Sequence, residues 1–181
     1  MRLFIAAQLK LPVLNKIASF LEPLRKDFGA IKWLKPENLH LTFKFLGETD
    51  IDQVDSLKSC LYGVKHPVFR LSAVGLGAFP DMKAPKVLWI GLKSDGDNIF
   101  TLHKNIEDCL QGVHIPPDSR KYRPHLTIAR IKTSFPTGLR DFLQDHKDYS
   151  FGDCEIDSFK LMESRLSSSG AIYDEIQSYP L

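Results

Sequence analysis

A chain of 181 residues, 43% hydrophobic and 25% charged, has the balance of an ordinary globular protein, with enough apolar material for a core that needs no metal or disulfide staple. The length fits one domain or two small lobes sharing an interface. A formal net charge of +2 excludes a histone-like binder of acidic polymers, though not a local basic patch.

In chain order, Leu3-Phe4-Ile5-Ala6 reads as a short buried strand. Gln8 and Lys10 interrupt the apolar run too soon for the ~7–15 residues of a secretory leader, and no segment approaches the ~18 apolar residues of a membrane span. Leu14, Ile17, Leu21 and Leu24 step by 3, 4 and 3, one face of a helix. Pro12 suits its first turn, and Gly29 suits a left-handed residue just past its end. The loop Lys32-Trp33-Leu34-Lys35 leads into the strand His40-Leu41-Thr42-Phe43. A helix over roughly 50–64 comes next, carrying Ile51, Val54, Leu57, Leu61 and Val64, then a strand over roughly 67–78.

The second half repeats this order. His40-Leu41-Thr42-Phe43 returns 85 residues later as His125-Leu126-Thr127-Ile128. The same offset lays Leu3-Phe4-Ile5-Ala6 on Leu88-Trp89-Ile90-Gly91, and the first helical stripe on Ile99, Leu102, Ile106 and Cys109. Asp95 or Asp97 is placed to cap this second helix, and Gly112 to end it. A basic loop, Arg120-Lys121-Tyr122-Arg123, precedes the second motif. A helix over roughly 136–147, a strand over roughly 150–162, and a last strand near 171–177 after a Ser167–Gly170 turn complete the chain. The expected fold is α+β: one two-lobed domain over 1–181, repeated at about 1–80 and 86–165, with antiparallel sheets, flanking helices, a pseudo-twofold axis and a central cleft holding both His-x-Thr strands.

Cys60, Cys109 and Cys154 are odd in number, far apart and free of any C-x-x-C pair. Neither a disulfide framework nor a zinc knuckle is suggested, and a reducing, cytoplasmic setting is the expectation.

In a strand, residues i and i+2 share a face. His40 and Thr42 therefore oppose Leu41 and Phe43, and His125 and Thr127 oppose Leu126 and Ile128. The apolar partners belong to a core, which leaves two His-Thr pairs facing something polar. Six His and six Thr in the chain give roughly 0.2 His-x-Thr matches by chance, so a repeated pair is a specific signal. Two histidines supply an acid and a base near neutrality, and a twofold-related pair sets them face to face across a cleft. Thr42 and Thr127 carry hydroxyls beside each imidazole; Thr is also simply a good strand former. A metal held by the histidines would want a third ligand, and neither motif carries one. The remaining histidines (His66, His103, His114, His146) read as ordinary loop or helix residues.

Both motifs, with Arg2-Leu3-Phe4-Ile5-Ala6, the run from Asn38 through Gly47-Glu48, and Arg123-Pro124-His125-Leu126-Thr127-Ile128-Ala129-Arg130, resemble the two-histidine phosphoesterase superfamily. Within it they resemble the RNA 2′,3′-cyclic phosphodiesterases, historically called 2′-5′ RNA ligases. The resemblance implies hydrolysis of RNA 2′,3′-cyclic phosphate ends to a 2′-phosphate without metal or other cofactor. It gives His40 the leaving 3′ oxygen and His125 the water, a choice the residues alone leave open. It also lifts Arg130 as a phosphate or base contact, although strict alternation would turn Arg130 away from the His face unless the strand bulges. Phe45 holds the corresponding place after His40, suited to stacking a base or to the core. Arg123 has the right parity but sits in a loop. The expected partners are RNA ends with cyclic phosphate, tRNA fragments among them, with no membrane and a monomeric chain. The alternatives are ATP-independent 2′-5′ RNA ligation in the same site, or a non-catalytic RNA- or nucleotide-binding module.

Overall fold

The computed structural model describes residues 1–132, 135–167 and 170–181. Its elements run β1 (Arg2–Ala7), α1 (Leu11–Asp27), β2 (Lys32–Trp33), β3 (Leu41–Glu48), α2 (Val54–Tyr62), β4 (Phe69–Phe79), β5 (Val87–Ser94), α3 (Asn98–Gly112), β6 (His125–Arg130), α4 (Leu139–Asp145), β7 (Ser150–Ile156), β8 (Ser158–Ser167) and β9 (Gly170–Pro180). The two helical stripes do as their spacing demands. Leu14, Ile17, Leu21 and Leu24 on α1, and Ile99, Leu102 and Ile106 on α3, are all buried. Each such side chain contributes about 1.5–3 kcal/mol through the area it removes from water.

All strand pairs are antiparallel, in the order β7-β4-β5-β6-β3-β1-β8-β9, with β2 added on β6. The centre of this sheet is thin. β3 and β6, the two His-x-Thr strands, share a single register pair, Leu41 with Leu126, and then part. The sheet thus divides into two four-stranded lobes hinged at that leucine pair, where the pseudo-twofold axis runs. Counting outward from the hinge, β3-β1-β8 matches β6-β5-β4. The repeats therefore exchange strands: β4, from the first half of the sequence, lies against β5 of the second, and β8 lies against β1.

Several expectations need correction. The strand placed over 150–162 is two strands that part at Asp157, β7 pairing with β4 and β8 with β1. A continuous run of strand-forming residues does not show that its ends serve opposite lobes. Neither Gly29 nor Gly112 is left-handed. The first helix closes on Phe28, whose N–H bonds the Leu24 carbonyl, while the second runs through Gly112 and leaves His114, at φ 64°, in the left-handed region. Asp97 occupies the cap position of α3 without a capping side-chain bond; the Ser94 hydroxyl accepts from the Ile99 N–H instead. Ser168 and Ser169, within the Ser167–Gly170 turn, lie outside the described residues.

The cysteines differ most from expectation. Cys60 on α2 and Cys109 on α3 form a disulfide across 49 residues, with Cα atoms 5.7 Å apart, and Cys154 is free. The two helices lie side by side, a proximity that no local spacing reveals. No helix among the described residues is long and apolar enough to cross a membrane.

Candidate active site

The hinge pair sets the geometry of the site. Leu41 and Leu126 point into the core, fully buried, so the residues on either side of each, His40 and Thr42, His125 and Thr127, turn to the opposite, partly open face. Both imidazoles are anchored alike: Nδ1 of His40 donates to the Asn38 carbonyl at 2.8 Å, and Nδ1 of His125 to the Arg123 carbonyl at 2.6 Å. A carbonyl only accepts, so each ring is fixed with its proton on Nδ1 and Nε2 left free. Neither threonine hydroxyl bonds another protein group among the described residues.

Aromatic rings back both histidines. Phe4 lies 5.0 Å from the His40 ring, and Tyr173 meets it edge-on at 5.1 Å. Phe79 meets the His125 ring edge-on at 4.9 Å and is itself backed by Trp89 at 5.3 Å. These rings strip water from the imidazoles. Burial lowers His40 to about 4, opposed by the Asn38 hydrogen bond and reinforced by the charges of His125 and Arg130. His125 is lowered too, by burial and by Arg130, against the Arg123 carbonyl. Both rings are therefore neutral at neutral pH in the free protein.

Bulges aim the flanking residues. In the β1–β3 ladder, Ile5 pairs with Lys44 and Ala6 with Thr42, leaving Phe43 as an extra residue. In the β5–β6 ladder, Leu88 pairs with Ala129 and Trp89 with Thr127, leaving Ile128 extra. The two bulges sit at equivalent repeat positions, and each reverses the facing of the residues beyond it. Phe45 and Arg130 are thereby exposed on the histidine side, while Lys44 and Ala129 turn inward. Gly77 serves the same face: a Cβ there would lie 2.3 Å from the Trp89 ring.

Two cavities flank the histidines. One, of about 950 Å³, is lined by Arg130, Phe45, Trp33, Tyr173, Lys32 and Lys132 among others. The second, of about 880 Å³, is lined by His125, Thr42, Phe79, Arg120, Lys121 and Arg123 among others. The structure thus gathers His40, Thr42, His125 and Thr127 at the hinge, puts Arg130 in the first cavity and Arg123 in the second, and sets Phe45 on the wall of both. Sequence reasoning missed Phe4, Tyr173 and Phe79 behind the histidines, and Lys44. The 85-residue offset, which equates Phe4 with Trp89, signalled only the first. No group of three or more His, Cys, Asp or Glu suited to a metal lies among the described residues.

A four-plus-four antiparallel sheet hinged between two His-x-Thr strands defines the class as a two-lobed α+β protein with paired motif strands at its centre. A profile described as LigT like Phosphoesterase matches residues 11–89 and again 90–173, one match per repeat. The chain belongs to this family. Curated relatives include the RNA 2′,3′-cyclic phosphodiesterases of Aquifex aeolicus (34% identical, covering 83% of this chain and 81% of that one) and of Archaeoglobus fulgidus (32% identical, covering 98% of each). Among solved structures, TT0787 of Thermus thermophilus superposes with a TM-score of 0.84 at 25% identity, over 100% of this chain and 98% of that one. Escherichia coli LigT in apo form gives 0.79 at 20% identity, over 99% and 96%, a likeness of fold.

Proposed function

We propose that the protein hydrolyses RNA 2′,3′-cyclic phosphate ends to 2′-phosphates by acid–base catalysis between His40 and His125. Cyclic phosphodiester hydrolysis is the activity in the names of the relatives. The observation that carries the mechanism is the matched anchoring of the two rings, each held through Nδ1 by a backbone carbonyl two residues earlier, which leaves both Nε2 atoms available. In-line displacement needs a base behind the attacking water and an acid beyond the leaving oxygen, and a twofold-related pair supplies both. Following the family resemblance, His125 removes the proton from water and His40 gives one to the 3′ oxygen. Water oxygen bonds phosphorus as the phosphorus–O3′ bond breaks, and the 2′ ester stays.

One imidazole must be cationic at the start, yet both are neutral in the free protein. The anionic phosphate resolves this, because an adjacent negative charge favours the protonated ring. The Thr42 and Thr127 hydroxyls donate to the non-bridging oxygens, and Arg130 lends positive charge. Phe45 stacks on a base, and Arg123 serves the strand beyond. The second cavity favours one further reading, 2′-5′ joining, in which a ribose hydroxyl of another RNA end takes the place of water.

The test is incubation with an RNA ending in 2′,3′-cyclic phosphate, in EDTA and without nucleotide. The expected product is a 2′-phosphate, with His40→Ala and His125→Ala each slowing turnover by ~10²–10⁴-fold and the double variant losing far less than the product of the two. Activity abolished by EDTA and restored by a divalent ion, or retained in either single variant, overturns the scheme.

A further inference from the structure

Lys44 is 3% exposed, placed by the Phe43 bulge on the inner side of β3, where it is among the residues lining the second cavity. A buried ammonium is costly unless its donors are all engaged, and here all three find oxygen. Nζ donates to Glu107 Oε2 on α3 at 3.2 Å, with Oε1 of the same carboxylate 2.9 Å away, to Asp118 Oδ1 at 3.0 Å, and to the Pro116 carbonyl at 2.9 Å. The last two belong to the segment 113–124 that leads into the second motif. A second tie fastens the same segment to β3: the Tyr122 hydroxyl donates to the Thr42 carbonyl at 3.1 Å. The Tyr122 ring stacks on His103 at 3.8 Å and 7°, and His103 lies 3.7 Å from Glu107.

The loop before the first motif is held quite differently. There Lys32–Trp33 joins the sheet as β2, pairing with Ala129 and Arg130, and the Leu34 N–H bonds the Ile128 carbonyl. The segment before His125 has no such strand. Among the described residues, its backbone from 116 to 123 makes no backbone–backbone hydrogen bond outside the regular elements. Backbone bonds hold only its two ends, 113–115 on α3 and the Pro124 carbonyl, which accepts from the Leu92 N–H at 3.3 Å; between them the anchor is side-chain made, and there lies the Arg123 carbonyl that holds His125 Nδ1. The repeat position equivalent to Lys44 is Ala129, so this device belongs to one half alone.

We infer that Lys44 is a positioning residue: by pinning Pro116 and Asp118 to the underside of β3, it fixes the wall of the second cavity and, through the Arg123 carbonyl, the tautomer and orientation of His125. It touches neither histidine and takes no part in proton transfer. The consequence for turnover rests on the function proposed above; the consequence for His125 does not.

Lys44→Met alone leaves Glu107 buried without its partner and could fail to fold, so the deciding variant is Lys44→Met/Glu107→Met. Replacing a buried ion pair by apolar side chains of similar volume is often neutral or stabilising, yet the segment still loses its anchor. The expected results, with a Tm close to the parent's, are a His125 imidazole no longer locked as the Nδ1–H tautomer by side-chain nitrogen NMR, with His40 unchanged. Amide exchange in 116–123 should be faster, and kcat/KM on cyclic-phosphate RNA at least tenfold lower. Asp118→Asn, on a half-exposed side chain, should give the same pattern in weaker form. A folded double variant with the parent's His125 spectrum and the parent's exchange in 116–123 would overturn the inference, whatever its activity. A parent protein with no turnover of cyclic-phosphate RNA would count against the proposed function, and the NMR comparison would still decide the role of Lys44.

Discussion

Two imidazoles held by the same backbone contact differ in how much water they keep. His40, packed between Phe4 and Tyr173, is lowered to about 4, whereas an unfolded histidine titrates near 6.5. Between those values the unfolded chain binds more protons than the folded one, so stability attributable to His40 is intact above ~6.5 and is lost as pH falls toward 4. At pH 4.5 the loss should be on the order of 2–3 kcal/mol. His40→Gln removes the titration, so the fall in urea-unfolding free energy from pH 7 to 4.5 should be smaller by about that amount than in the parent. Equal falls in the two proteins would show that His40 is not held neutral. At this scale the sequence was informative where chemistry repeats: both His-Thr pairs follow from alternation and the offset. It was silent on Lys44, which alternation puts on the same face as Thr42 and which therefore reads as one more polar residue toward solvent.

At the scale of elements, the bulges decide what the site contains. Arg130 could join the histidines only if β6 broke alternation, a requirement legible beforehand; the place of the break was not, because an extra residue leaves no mark in an apolar run such as Leu126, Ile128 and Ala129. The helices show the same limit. Their apolar stripes were readable, but their neighbours were not, and so the Cys60–Cys109 link between α2 and α3 was missed. By loop-closure entropy, a cross-link spanning 49 residues contributes about 4 kcal/mol, or roughly 8–16 °C in Tm for a chain of this size. Thiol titration of the unfolded, unreduced protein should find only Cys154, and reductant should add two thiols and lower Tm by that amount. An unchanged Tm with all three thiols reactive from the start would show that the cysteines are not joined.

For the molecule as a whole, the strand exchange makes the lobes interdependent. β4 and β8 each complete the lobe built on the other half's motif strand, so the two segments that match the family, 11–89 and 90–173, do not each form one lobe. Between the lobes lie one hinge and two basic cavities, and RNA length should distinguish the parts. Neutralising Arg120, Lys121 and Arg123 should weaken long cyclic-phosphate RNA and flatten its salt dependence by a slope of ~0.7 for each phosphate no longer neutralised, with little change for a cyclic mononucleotide. Arg130, beside both histidines, should affect the two substrates alike. The measurement is kcat/KM for each substrate at two salt concentrations; equal losses on both after neutralising the 120–123 segment would move that segment into the catalytic centre.

Trp89, packed over Gly77, is one of two tryptophans in the chain, and they pair with β6 from its two edges. Trp33 lines the first cavity, while Trp89 stands behind Phe79 and His125 on the other side. Each cavity thus has a single tryptophan at or behind its wall, close to the place where an RNA end would rest. With Trp33→Phe or Trp89→Phe, the emission that remains belongs to one cavity, and the order in which the two cavities fill becomes a matter of light rather than of product.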